Sequence, residues 1–194
     1  MVSEGAGIRD PRDLPAGLPV PEDDGAARHL DGLTVPSVPL ESTAGRTVDL
    51  HAASLRSRVV VYAYPRTGRP GEEALGGQAA WDAVPGARGC TPQTLGYAGS
   101  LAGFTALGVP VYGVSTQTPG YQREAAHRLG LRHELLSDHC LDFATALRLP
   151  TFTVAGTVLL RRLTLVLDRG RIVHVRYPVF PPDEDATATL AWLR

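Results

Sequence analysis

Pro85-Gly86-Ala87-Arg88-Gly89-Cys90-Thr91-Pro92-Gln93 is the stretch on which the reading of this chain turns. A cysteine follows a Gly-rich turn and opens a helix that should run to about Leu107, stopped by Gly108. Pro92 is tolerated there because N–H groups of a first helical turn have no intrahelical partner. Those free N–H groups and the positive end of the helix dipole favour thiolate over thiol. The thiolate is the nucleophilic form. Taken alone, the same placement also suits a small buried thiol beside a turn.

Working back from Cys90, residues 68–89 form a long loop that contains Trp81. A loop of that length inside a compact domain usually carries function. Before it lies Arg58-Val59-Val60-Val61-Tyr62-Ala63-Tyr64, a β-branched and aromatic run of the kind buried on both faces of a central strand. Further back, residues 33–50 predict a hairpin: an extended Leu33–Leu40 with edge-type prolines, a turn over Glu41–Arg46, and a return over Thr47–Leu50. His51 to Leu55 suits a short helical turn. Residues 1–28, rich in Gly, Pro, Asp and Glu, read as an irregular arm whose Leu14-Pro15 and Leu18–Pro21 segments could dock as extended chain.

Working forward, Val109–Ser115 reads as a second buried strand, Tyr121–Leu129 as an amphipathic helix, and Glu134–Ser137 as a short strand. Asp138 is placed to cap a helix over His139–Leu147. Val158–Asp168 and Arg171–Tyr177 read as strands joined by the Asp168-Arg169-Gly170 turn. Asp183–Leu193 closes the chain as a helix. The order βαβαβα, then an antiparallel hairpin and a helix, predicts an α/β thioredoxin-like fold. It has a mixed central sheet, helices on both faces and an N-terminal β-hairpin. The domain spans residues 29–194, with an insertion near 68–86.

Composition narrows the chemistry. All 19 basic side chains are arginine, so Schiff-base, P-loop and kinase-type lysines are excluded. A formal charge of −1 offers no argument for nucleic acid or an anionic membrane as partner. No apolar run approaches the ~20 residues of a membrane span. The first 30 residues lack the basic start and apolar run of a secretory signal. Two cysteines, 50 residues apart, make neither a disulfide scaffold nor a CxxC motif. A cytoplasmic protein with reduced thiols is expected.

Three pieces of the chain resemble the peroxiredoxins, the redoxin or alkyl-hydroperoxide-reductase superfamily, and within them the bacterioferritin-comigratory, Q-type branch. The strand ending in Tyr64-Pro65, followed by Gly89-Cys90-Thr91, is similar to the strand-Tyr-Pro and Gly-Cys-Thr signature. Val109–Ser115 and Leu135-Leu136-Ser137-Asp138 resemble the following strands. Arg161-Arg162-Leu163-Thr164-Leu165-Val166-Leu167-Asp168-Arg169-Gly170-Arg171-Ile172 resembles the Arg-x-Thr-Phe strand, its turn and the return strand.

The resemblance implies a thiol-dependent peroxidase that reduces hydrogen peroxide or an organic hydroperoxide through a sulfenic acid, with no metal or organic cofactor. Cys90 would attack the peroxide, and Arg162 would hold thiolate and peroxide. Pro65 would shield the thiol and Thr67 would supply a hydroxyl. An external thiol, thioredoxin-like or of low molecular weight, would regenerate Cys90, and a homodimer is implied.

Two departures stand out. Thr67 lies 23 residues before Cys90, so the insertion must fold out of the way; otherwise Thr91 supplies the hydroxyl. The position of a resolving cysteine five residues after Cys90 is Leu95, which leaves Cys140 as the candidate. Two other readings keep the fold: a specialised redox enzyme acting on a natural-product thiol, disulfide or peroxide, and a binding module with a vestigial Cys90.

Overall fold

A computed structural model describes residues 17–194. The centre of the fold is β3 (Val59–Ala63), buried along its whole length. Its residues alternate between two cores. Val59, Val61 and Ala63 face one, together with Leu50, Phe143 and Leu147; Val60, Tyr62 and then Tyr64 face the other, with Cys90, Tyr97 and Phe104. Helices cover both sides of the sheet, so the continuous apolar run has no wet face to mark with polar residues.

In chain order the elements are β1 (Pro39–Ser42), β2 (Thr47–Asp49), α1 (Leu50–Ser54), β3, α2 (Gln78–Asp82), α3 (Cys90–Ala106) and β4 (Val111–Ser115). Then follow α4 (Pro119–Arg128), β5 (Glu134–Ser137), α5 (Asp142–Leu147), β6 (Thr151–Val154), β7 (Thr157–Leu160), β8 (Leu163–Asp168), β9 (Arg171–Arg176) and α6 (Asp185–Leu193). Seven strands form one sheet in the order β2-β1-β5-β4-β3-β8-β9. β3, β4 and β5 run parallel, while β8 and β9 return antiparallel on one side and the β1–β2 hairpin on the other. This is the α/β thioredoxin-like arrangement of the sequence reading. Among the described residues no helix is long and apolar enough to cross a membrane.

Gly113 in β4 shows how tightly the second core is built. It lies between Tyr62 of β3 and Leu135 of β5 in register. A Cβ there would meet the Tyr62 ring at 2.6 Å and Leu135 at 2.7 Å. The Tyr62 ring stacks on Tyr97 at 4.2 Å, and its hydroxyl sits 2.7 Å from His133 Nε2. Burial holds the Tyr62, Tyr64 and Tyr97 hydroxyls in their protonated form.

Burial also lowers His133 from the ordinary 6.5 to about 4. Between those values the unfolded chain binds a proton that the folded chain refuses. Stability is therefore full above pH 6.5 and falls as the pH drops toward 4, by about 3 kcal/mol over the whole window. Urea unfolding of wild type and His133→Gln from pH 7.5 to 4.5 checks this. The wild type should lose more stability across that range than the variant, and equal losses would refute the assignment.

Four expectations are corrected. The first strand is shorter than Leu33–Leu40: pairing starts at Pro39, and Thr34 makes only an isolated bridge to Arg171. Pro36, with no N–H, cannot donate to a ladder. The helix expected over His139–Leu147 begins at Asp142. Asp138 still caps it, accepting the N–H groups of Phe143 and Ala144, but residues 139–141 form a turn with Leu141 left-handed. Val158–Asp168 is not one strand. It divides into β7 and β8 around Arg161 and Arg162, and β7 pairs with the unforeseen β6 in a separate hairpin. Its turn is Ala155-Gly156, both at positive φ, and alanine there gives no sequence signal of such a turn. The 68–86 segment is not all loop, because it contains α2.

Of the N-terminal arm, Leu14-Pro15 lies outside the described residues. Residues 17–27 contain neither helix nor strand, and Pro21 packs near Gly86.

Candidate active site

The site forms where β3 ends and α3 begins. Gly89 precedes α3 in the left-handed region (φ 97°), a backbone glycine adopts without a Cβ penalty. This turn points Cys90 inward. Only 3% of Cys90 is exposed, and its sulfur accepts two hydrogen bonds, from the Arg66 N–H and from Arg162 Nη2, each 3.3 Å long. Both suit a negatively charged sulfur better than a neutral one. A third contact of 3.4 Å runs to the Ala87 carbonyl, which a protonated thiol can use as donor.

Arg162 is also buried, and its guanidinium is spread over the site. Nη2 reaches the Gly86 and Arg88 carbonyls at 3.1 and 2.9 Å, and Nη1 donates to Gln93 Oε1. The break between β7 and β8 lets Arg162 turn in while Arg161 stays half-exposed. In one continuous strand neighbouring side chains point to opposite faces; here both arginines lie instead in the break between β7 and β8.

Gln93 passes the contact on. Its Nε2 donates to Asp185 Oδ2 at 2.8 Å, and that oxygen also accepts from Tyr97 at 2.9 Å and Thr164 at 2.7 Å. Asp185 Oδ1 lies 3.4 Å from Arg176 Nε in an ion pair without hydrogen-bond geometry. Asp185 is wholly buried at the start of α6. Replacing it with alanine removes the shared acceptor of three buried donors and the partner of the Arg176 charge. Asp185→Ala is expected to cost about 3–5 kcal/mol in denaturant unfolding, and Asp185→Asn less, since an acceptor oxygen remains. A loss under about 1 kcal/mol for the alanine variant would show the network to be slack. Sequence reasoning missed both Gln93 and Asp185; neither lies in a motif that sets it apart from an ordinary polar residue.

Pro65 is buried one residue before the amide that reaches the sulfur. Thr67 is buried too, yet its N–H and hydroxyl both go to Gln117 Oε1, at 2.9 and 3.0 Å, and Gln117 Nε2 returns a bond to the Thr67 carbonyl. The structure thus gives the Thr67 hydroxyl to Gln117 rather than to Cys90. The sulfur instead receives the neighbouring Arg66 amide, which no side-chain motif could reveal. The Thr91 hydroxyl is buried with no partner among the described residues. Cys140 is exposed in the turn after β5, and both cysteines are free thiols. No group of metal-ligating side chains occurs among the described residues.

Above Cys90 lies a cavity of about 60 Å³. Cys90, Thr91 and Arg88 form one side, Arg66 and Tyr121 another, and Trp81 a third. Residues from Gly68 to Trp81 line the rest of it. Trp81 and Ala87 pack with Val154 and Leu159 of the β6–β7 hairpin, and Leu75, Val84 and Phe152 lie against them.

A buried thiol at a helix start behind the central strand, held by an arginine from across the sheet, defines a thioredoxin-fold thiol protein. The Redoxin family profile matches residues 30–190, and the chain belongs to that family. Comparison with curated proteins gives no match. Among solved structures the fold is similar to that of the bacterioferritin comigratory protein of Xanthomonas campestris, studied for alkyl peroxide reduction. That pair has a TM-score of 0.66 at 22% identity, covering 84% of this chain and 97% of that one. It is also similar to the peroxidoxin BcpB of Mycobacterium tuberculosis (0.67, 23%, 84% and 96%). A third likeness is to reduced Prx3 of Vibrio vulnificus in complex with hydrogen peroxide (0.63, 19%, 84% and 98%).

Proposed function

We propose that this protein is a thiol-dependent peroxidase that reduces hydrogen peroxide or an organic hydroperoxide at Cys90. The observation that carries the reading is the pair of donors on the Cys90 sulfur, one a backbone amide and one a buried guanidinium. The thiolate attacks the distal peroxide oxygen. An S–O bond forms as the O–O bond breaks, the alkoxide or hydroxide leaves and takes a proton, and Cys90 is left as a sulfenic acid. Charge moves from sulfur to the leaving oxygen, so fixed donors around both stabilise the transition state. Arg162 supplies that charge. Pro65 keeps water from the sulfur, Thr67 braces the loop through Gln117, and the unpartnered Thr91 hydroxyl is available to the peroxide.

The specialised redox enzyme remains the second reading, favoured by the pocket that residues between Gly68 and Trp81 line beside the thiol. The vestigial binding module has no such support. A homodimer working in a reducing cytoplasm, where two free thiols persist, completes the proposal.

The test is consumption of hydrogen peroxide and of cumene hydroperoxide by the reduced protein, with mass spectrometry of the Cys90 peptide. A gain of one oxygen on Cys90 that keeps pace with peroxide loss is expected. Reaction no faster than that of a free thiol would end the general-peroxidase reading and favour the specialised one.

A further inference from the structure

Resting on the peroxidase reading, we infer that Arg88 is a further catalytic residue. From the cavity wall its guanidinium donates to the oxygen that leaves when Cys90 attacks a peroxide.

The arginines around the sulfur divide the work. Arg162 reaches Cys90 Sγ at 3.3 Å, yet it is not part of the wall of the cavity that Cys90 lines. It borders a separate cleft with Pro85, Phe152 and Tyr177. Its Nε has no partner among the described residues, but that nitrogen belongs to a residue outside the cavity wall. In an in-line attack the leaving oxygen lies beyond the attacked one, farther from the sulfur. A peroxide in the cavity needs a donor for that oxygen from the wall itself.

Other donors near the sulfur are committed. Arg66 and Arg69 line the cavity, but their guanidiniums lie over the Tyr121 ring at 4.4 and 4.0 Å and pair with Glu72 at 3.9 and 3.1 Å. The Thr67 hydroxyl donates to Gln117. Arg88 differs. Its side chain is only 10% exposed, and neither Nε nor Nη2 has a hydrogen-bond partner among the described residues. Its ion pair, Nε to Asp82 Oδ1 at 3.3 Å, lacks hydrogen-bond geometry. Buried donors are nearly always satisfied in a native protein. A buried guanidinium with open N–H groups, in the wall of a reactive thiol's cavity, suits a developing oxyanion. The buried and unpartnered Thr91 hydroxyl belongs to the same wall.

Arg88 is also held in place beforehand. Its carbonyl accepts from Arg162 Nη2 at 2.9 Å, and its charge faces Asp82 at the end of α2. Asp82 Oδ1 in turn accepts from Gln78 Nε2 at 2.7 Å. A donor fixed before the reaction costs no reorganisation when charge arrives. Asp82 is thus a positioning residue, and α2 is the element that presents it.

The step balances. The Cys90 thiolate attacks the terminal oxygen of ROOH. The S–O bond forms as the O–O bond breaks, and the bonding pair goes to the other oxygen. RO⁻ leaves and takes a proton from water to become ROH, while Cys90 keeps the hydroxyl as a sulfenic acid. The negative charge that began on sulfur ends on the oxygen that Arg88 holds.

The experiment uses the reduced full-length protein and leaving groups of different basicity. Rate constants for oxygen uptake by Cys90 are measured with hydrogen peroxide, tert-butyl hydroperoxide and peracetic acid. Alkylation of Cys90 by iodoacetamide is followed by mass spectrometry of its peptide. Hydroxide and tert-butoxide are strong bases that need a donor as they leave; acetate and iodide are weak bases that do not. Arg88→Met is expected to slow the first two peroxides by about tenfold to a hundredfold. Peracetic acid and iodoacetamide should change by less than about threefold. Arg88→Lys should recover part of the loss, since the charge returns without the fork of N–H groups. Asp82→Asn should give the same pattern at about threefold to tenfold. If Arg88→Met fails to fold, Arg88→Lys and Asp82→Asn carry the same comparison. Equal losses with all four reagents would mean that Arg88 holds the thiolate or the loop. That result, or no loss with any reagent, overturns the inference and leaves the peroxidase reading standing. If wild type takes up oxygen from the three peroxides no faster than a free thiol does, both fall.

Discussion

Cys90→Ser is expected to lose at least about a thousandfold of the peroxide-reduction rate while keeping the fold. Serine is nearly the shape of cysteine, and its hydroxyl oxygen can accept from the same Arg66 amide and Arg162 Nη2 that now reach the sulfur. The surroundings of residue 90 are therefore largely preserved, and unfolding midpoints should agree within a few degrees. The chemistry is not preserved. A thiol is partly ionised near neutral pH and its sulfur is intrinsically very nucleophilic, whereas a hydroxyl is neither without a neighbouring base. None of the hydrogen-bond partners of residue 90 is a base: they are an amide, a guanidinium and the Ala87 carbonyl. Peroxide loss followed by stopped flow or a peroxide electrode checks the result. Retention of more than about a tenth of the wild-type rate would place the reactive group elsewhere, with Cys140 as the first residue to examine.

Arg162→Ala carries the second large expectation, a fall of about 10²–10³ in the second-order rate constant with peroxide. One guanidinium contacts the sulfur, two carbonyls of the loop before it and Gln93. Its removal takes away fixed positive charge where charge shifts from sulfur to oxygen. It also leaves Gly86 and Arg88 without their clamp. Arg162→Lys separates the two roles. Lysine keeps the charge but has a single nitrogen and cannot span the four partners at once. An intermediate loss of about tenfold to a hundredfold is expected, with the loop loosened. The rate constants, read beside the thermal stability of each variant, decide the matter. Equal small losses in both would mean that Arg162 serves the fold and not the reaction.

Much of the fold was legible because its strongest elements are written locally. Val59–Tyr64 is apolar on both faces since helices cover both sides of the sheet, and its length alone marks a central strand. Gly89-Cys90-Thr91-Pro92 spells a helix start through turn chemistry and a first-turn proline. Gly108 and the Asp168-Arg169-Gly170 turn punctuate the chain in the same way. Where a boundary depended on a distant partner, the local signal failed. Val158–Asp168 has an unbroken apolar pattern around its arginines, yet it splits because Arg162 has to reach Gln93 and Cys90. Asp138 is a good cap, but the turn beneath it delays the helix to Asp142.

The sequence by itself determined the class of fold, the order of the central strands β3, β4 and β5 and the candidate nucleophile, which follow from periodicity and from turn residues. The arginine paired with Cys90 came from the resemblance of the Arg161–Ile172 stretch to the peroxiredoxins. Only the tertiary structure decided what surrounds the sulfur. The Arg66 amide, Gln93, Asp185, the Gln117 hold on Thr67 and the Trp81 wall of the pocket come from segments up to about a hundred residues away. A hydrogen bond across such a distance leaves no trace in local composition, because any polar residue reads alike until packing removes the water and obliges it to find a partner.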